Sequence, residues 1–141
     1  MRTPEGGFAS IPRMNVAAAG KVYPEMAFTI DPDRVAAFRQ VFDQREGVPP
    51  TFVTVAEFTV IPEVAADPEL GLDFARVLHG SQEYDFRRPL REGETLTIRS
   101  KIESIRSLGG NTFLTLLFEL IEPGGEAVCS ARSTLIERAE G

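Results

Sequence analysis

The sequence predicts an α+β domain in which a long antiparallel sheet wraps one buried helix. Three observations carry that expectation. Residues 51–66 form an apolar run too long for an ordinary strand and almost without a polar face. Residues 76–137 divide into four strand-like segments joined mostly by tight-turn residues. The 141-residue chain has room for one core and not for a second.

The elements follow in order. Residues 1–19 are rich in Gly, Pro and Ala and lack periodicity, so they read as an N-terminal arm ahead of a domain spanning 20–141. Met14 is an alternative start within that arm. Residues 22–30 read as a first strand. Asp31-Pro32-Asp33 then opens a helix, with Asp31 suited to the cap, Pro32 to the first helical position and Asp33 to the positive helix end. Val35, Phe38, Val41 and Phe42 recur at three- and four-residue spacing and predict one buried face. The Asp43–Gly47 turn ends that helix.

Pro49-Pro50-Thr51 starts the long apolar run, which is read as a buried helix that Pro62 bends or ends. Residues 67–75 read as a loop around Asp67-Pro68. In the strand over 76–88, Leu78, Gln82, Tyr84 and Phe86 are placed on one face, with Glu83, Asp85 and Arg87 opposite. In the strand over 94–107, Leu96, Ile98 and Ile102 are in phase and Ile105 is not, which predicts a bulge. Gly109-Gly110-Asn111 turns the chain into residues 112–121, apolar on both faces and so central. Pro123-Gly124-Gly125 leads into the last strand, 126–137. There Ala127, Cys129, Ala131 and Ser133 form a small-residue face that lets a helix come close. A long antiparallel sheet around one apolar helix is a hotdog fold.

Composition narrows the function. Twenty-one acidic against fifteen basic residues give a net charge of −6, which argues against nucleic acid. A single cysteine, Cys129, excludes an intramolecular disulfide and a cysteine zinc cage, and a single histidine, His79, excludes a multi-histidine site. No metal site is expected. The apolar stretches are far below the ~18–20 residues that span a bilayer. The Met1–Gly7 start lacks a charged-then-apolar signal layout, so a cytoplasmic location is expected.

Several motifs then go beyond pattern. They are Gly20-Lys21-Val22-Tyr23-Pro24, Pro49-Pro50-Thr51-Phe52, the run Gly71 to Gln82 (GLDFARVLHGSQ), Arg88 to Leu96 (RPLREGETL), and Ala131-Arg132-Ser133-Thr134-Leu135. In this order, across residues 20–138, they resemble MaoC-like dehydratase subunits of the actinobacterial (3R)-hydroxyacyl-ACP type, in the hotdog superfamily. The resemblance extends to the N-terminal dehydratase domain of fungal-type fatty acid synthase. It implies (R)-specific hydration or dehydration of 3-hydroxyacyl and trans-2-enoyl thioesters on CoA or acyl carrier protein. No resident cofactor is implied; acyl-CoA or acyl-ACP enters as substrate or ligand. Some members lack catalytic residues and pair with a catalytic subunit.

One departure from the family pattern stands out. Catalytic members carry Gly-Asp-x-Asn-Pro-x-His, whose carboxylate and imidazole take the α-proton and protonate the leaving hydroxyl. Here Phe42-Asp43 is followed by Gln44-Arg45-Glu46-Gly47-Val48-Pro49. The Asn-Pro-x-His part is absent and the connection is short, which predicts a wider or collapsed channel mouth. Asp43 alone is carried over, as a remnant base or as a solvated acid at a helix end.

Other candidates each have a plain alternative. His79 is a substitute acid, or a structural residue bonded to loop backbone beside a bulge that Gly80 permits; Gly80 and Gln82 also match a non-catalytic motif placed near substrate. Thr51 and Phe52 begin the buried helix, whose free N–H groups can polarise a thioester carbonyl, or they are an ordinary cap. Glu57 suits a thioesterase base on an apolar helix, or else it points outward or pairs with an arginine. Arg87, Arg88 and Arg91 contact ligand phosphates, or balance Glu83, Asp85, Glu92 and Glu94. Cys129 is a buried, inert thiol.

Three functions follow as expectations. The first is a MaoC-like protein of fatty-acid metabolism that is inactive alone and serves as an accessory subunit. The second is a stand-alone acyl-CoA-binding module. The third is a hotdog thioesterase using Glu57. A lone hotdog leaves a sheet edge open, so a homodimer, a higher homo-oligomer or a heterodimer with a catalytic MaoC-like subunit is expected.

Overall fold

The computed structural model describes residues 14–41 and 46–139. Five strands form one antiparallel sheet: β1 (Val22–Thr29), β2 (Val77–Phe86), β3 (Thr95–Leu108), β4 (Asn111–Ile121) and β5 (Ala127–Glu137). Their order is β1-β3-β4-β5-β2, so β4 is central and β1 and β2 are the edges. Among the described residues, two α-helices accompany the sheet, α1 (Pro32–Val41) and α2 (Val53–Ala65), the second entered through a 3-10 turn, Pro50–Phe52. This is the α+β hotdog arrangement. Of the arm, residues 14–19 lie on the body, with Met14 buried and the Asn15 amide donating to the Leu70 carbonyl at 2.8 Å.

The core lies between α2 and the sheet. Val53, Ala56, Val60 and Val64 are at most 1% exposed, against Leu114, Leu116, Phe118 and Leu120 of β4 in one apolar cluster. Cys129, Ala131 and Ser133 of β5 are buried as a small-residue face. The Cys129 thiol is pushed up to about 12 by burial, as befits an inert core thiol. The β3 bulge falls between Ile102 and Ser104, which brings Ile105 back to the core.

Three expectations need correction. Val41 is 77% exposed, so among the described residues the inward face of α1 consists of Val35 and half-buried Phe38, which stacks edge-on against Phe52 at 5.3 Å; Phe42 lies outside the described residues. Asp31 does cap that helix, accepting from the Asp33 amide at 3.1 Å. Of the two readings of Pro62, bending or ending α2, the second is excluded: the helix runs on to Ala65, with Pro62 on its exposed side, where the Phe58 carbonyl's lost donor is cheap.

The third correction concerns Leu78, which is 51% exposed and not on the inner face of β2. The cause is a register shift between His79 and Ser81. That bulge reverses the alternation, so Val77 and His79 share a face with Gln82 and Tyr84. Gly80 sits at the shift because space is short: a Cβ there would lie 2.9 Å from Ile136 Cδ1 and 3.3 Å from the Thr134 carbonyl oxygen.

Candidate functional site

The side chains at 54, 57, 58 and 61 make one stripe along α2, the i, i+3, i+4, i+7 pattern of a helix face. Opposite them stand Val77, His79 and Gln82 of β2 and Ser133 and Leu135 of β5. Phe74 closes one side from a 3-10 turn, Phe74–Arg76. Together they enclose a cavity of about 250 Å³. Its wall is mainly apolar, with the polar groups of Glu57, Gln82, His79, Ser133 and Thr54 set into it.

Glu57 is the central group. It is 2% exposed, and Gln82 Nε2 donates to its Oε2 at 2.7 Å. Its Oε1 is buried without a hydrogen-bond partner. Burial pushes the carboxyl above its ordinary range; the Gln82 hydrogen bond, the nearby His79 and Tyr84 pull it down without cancelling that effect. The Tyr84 hydroxyl is shared with Thr54 Oγ1 at 2.7 Å and is itself raised by burial. His79 Nε2 and Ser133 Oγ are 3.0 Å apart, which fixes the imidazole from the neighbouring strand. A carboxyl whose affinity for its proton is raised by burial, beside an imidazole, suits proton transfer.

The candidates therefore separate. Glu57 faces inward with Gln82 as partner, not outward and not on an arginine. His79 bonds a strand side chain, not loop backbone. Gln82 lines the cavity, and Gly80 shapes the strand that presents it. Thr51 and Phe52 are not among the lining residues; Phe52 is 1% exposed and packs on Phe28 and Phe38. Arg88 is held by Glu94 at 2.8 Å and Glu122 at 3.2 Å, the charge-balancing arrangement. Asp43, and the channel mouth expected beside it, lie outside the described residues. Sequence reasoning did not single out Thr54, Tyr84 or Phe74 as site residues. The helical stripe through Glu57 was a usable signal for Thr54.

The chain matches the family model described as FAS1-like, dehydratase domain region, over residues 36–131. It belongs to that family. The matched segment contains α2, β2 and β3, and so the Glu57–Gln82 pair. Among relatives of the chain, a UPF0336 protein of Streptomyces avermitilis is 45% identical over 91 residues, 64% of this chain and 61% of the relative. The match thus spans about three fifths of the relative's length.

Solved structures agree on the fold. The C-terminally truncated HadBC (3R-hydroxyacyl-ACP dehydratase) complex of Mycobacterium tuberculosis superposes with a TM-score of 0.74 at 19% identity, covering 84% of this chain and 96% of that one. A MaoC-like dehydratase of Phytophthora capsici gives 0.71 at 21% identity, covering 88% and 50%. The chain shares the hotdog fold of these proteins, and the dehydratase-family resemblance read from its motifs holds. Among the described residues, no helix is long and apolar enough to cross a membrane.

Proposed function

We propose that this chain is an acyl-thioester-binding hotdog subunit of fatty-acid metabolism. Its ligands are 3-hydroxyacyl or trans-2-enoyl thioesters of CoA or acyl carrier protein. It needs no resident cofactor and works in the cytoplasm. It pairs with itself or with a catalytic MaoC-like subunit that bears the full Asp-x-Asn-Pro-x-His motif, and it is inactive alone. The observation that carries this reading is the cavity between α2 and β2: apolar walls with a small polar cluster suit an acyl chain. At about 250 Å³ it lies just below the ~300–1,000 Å³ of complete small-molecule sites, which suits a ligand site finished by a second subunit. The missing Asn-Pro-x-His supports the accessory role.

The test follows the absorbance of crotonyl-CoA with the purified chain, wild type beside Asp43→Asn and His79→Ala. The expected result is no turnover, a melting temperature raised by acyl-CoA, and activity once a full-motif subunit is added. Loss of the enoyl chromophore with the chain alone overturns the accessory role.

A second reading rests on Glu57. A buried carboxyl with a raised affinity for its proton, set in an acyl-sized cavity, suits activation of water for thioester hydrolysis. It predicts release of free thiol from acyl-CoA that Glu57→Gln abolishes. Release unaffected by that substitution sinks it.

A further inference from the structure

The outer face of the sheet, turned away from α2, carries a pattern that the cavity does not use. The strand registers line its side chains up in rows across the sheet. One row runs through Phe113 of β4, Ile136 of β5 and Leu78 of β2; the first two are half-buried and Leu78 is 51% exposed. In the next row Thr115 Oγ1 and Thr134 Oγ1 bond each other at 3.3 Å, which lowers the cost of covering them. The third row is charged at its ends: Lys101 of β3, Leu117, Arg132, then Glu83 of β2. Arg132 is held by Glu103 at 2.7 Å. Among the described residues, no ion pair within the chain engages Lys101 or Glu83. The fourth row repeats the order of signs, with Arg99 on β3, bonded to Glu25 at 2.9 Å, and Asp85 on β2. A sheet face that meets only water alternates with polar residues, and Phe113 and Leu117 break that alternation on β4.

We propose that this outer face packs on the same face of a second copy of the chain, sheet on sheet, about a twofold axis parallel to the strands. Such an axis lays β3 over β2 and β4 over β5, while each row meets its own copy. Lys101 then faces Glu83 of the second copy, and the symmetry makes that pair twice. Arg99 faces Asp85 in the same way, and Phe113 packs on Ile136. A twofold axis across the strands would instead set β3 on β3, cation against cation, so the order of signs selects the first arrangement. Aligned sheets pack about 10 Å apart and within about 30° of each other, which leaves these rows in register near the axis. The surface is separate from the open β2 edge, and the proposal does not depend on the acyl-binding reading.

The experiment measures mass by size-exclusion chromatography with light scattering on the full chain. Wild type is compared with Lys101→Glu, with Glu83→Lys, with the variant carrying both, and with a mixture of the two single variants. Both positions are exposed, and thermal melts check that each variant folds. Each single variant sets like charges against each other at both ends of the contact and is expected to halve the wild-type mass. The variant carrying both exchanges the signs and should recover that mass. The mixture should recover it too, because each chain then supplies the sign its partner lacks. A monomeric wild type overturns the proposal. So do single variants that keep the wild-type mass, the result expected if pairing uses the β2 edge alone. A loss that neither the exchange nor the mixture restores also overturns it.

Discussion

Gln82 Nε2 donates to Glu57 Oε2 at 2.7 Å, joining the buried helix to an edge strand across twenty-five positions of sequence. The bond needs the β2 bulge. Without the shift at Gly80, Gln82 and His79 would point to opposite faces of the strand. One glycine thus assembles a carboxyl, an amide and an imidazole around a single cavity.

Replacing that glycine tests the dependence. Gly80→Ala puts a methyl 2.9 Å from Ile136 Cδ1 and is expected to cost about 1–3 kcal/mol of stability by overpacking. Ile136→Val removes the nearest atom, so the double variant should recover part of the loss. The recovery should be incomplete, because the Thr134 carbonyl at 3.3 Å is backbone and cannot yield. Chemical denaturation of the four proteins in the cycle measures the coupling. Equal stability of Gly80→Ala and wild type would mean that the bulge does not need glycine.

Glu57 should leave a mark on the pH dependence of stability. Its carboxyl is raised in the folded state, so the native protein holds the proton longer than the unfolded chain does. Stability from this group is full below the unfolded value, near 4.5, and is lost as pH rises toward the folded value. Glu57→Gln removes the penalty. The melting temperature of the variant relative to wild type should therefore climb with pH above that point and then level off. Repeating the comparison in a His79→Ala background separates the imidazole's own charge. A difference that stays flat with pH would show that Glu57 ionises freely in the fold.

Asp67 should behave in the opposite way. Lys21 Nζ at 2.8 Å and the Tyr23 hydroxyl at 2.8 Å hold its carboxyl below the ordinary range. Its contribution is present above the unfolded value, near 3.8, and is lost as pH falls through the folded one. Asp67→Asn should destabilise the protein at neutral pH, and the gap to wild type should narrow in acid. Thermal melts from pH 2 upward check it; a gap independent of pH would assign the loss to packing.

Much of this was legible in the sequence, because strand alternation and helix periodicity are local. The central position of β4, the Ile102–Ser104 bulge and the Asp31 cap all follow from residues a few positions apart. The failures involve longer range or context. Val41 has the periodicity of a core residue, but only its surroundings in three dimensions decide whether anything covers it. Leu78 fell on the wrong face because one residue of bulge inverts a strand. Glu57 among Val55, Ala56 and Phe58 gives no hint of its partner, since Gln82 comes from another element. The hydrogen bond that defines the site is invisible until helix and sheet are packed.

The last prediction concerns assembly. β1 and β2 are both edges, and they differ. β1 carries Pro24 and a register break between Tyr23 and Met26, both of which blunt an edge against further pairing. β2 has no proline, and its exposed Leu78 is accompanied by Phe58 at 61% and Phe74 at 52% exposure, two residues of the cavity wall. The expected contact is therefore through β2, where a second hotdog subunit would extend the sheet and close the cavity. Leu78→Lys combined with Phe58→Glu should yield a folded monomer in size-exclusion chromatography with light scattering, and acyl-CoA should no longer raise its melting temperature. The wild type should run as a dimer or larger, or join a full-motif subunit. A wild-type chain that stays monomeric alone and fails to co-migrate with such a subunit would show that β2 is not the pairing edge and that the cavity is complete within one chain.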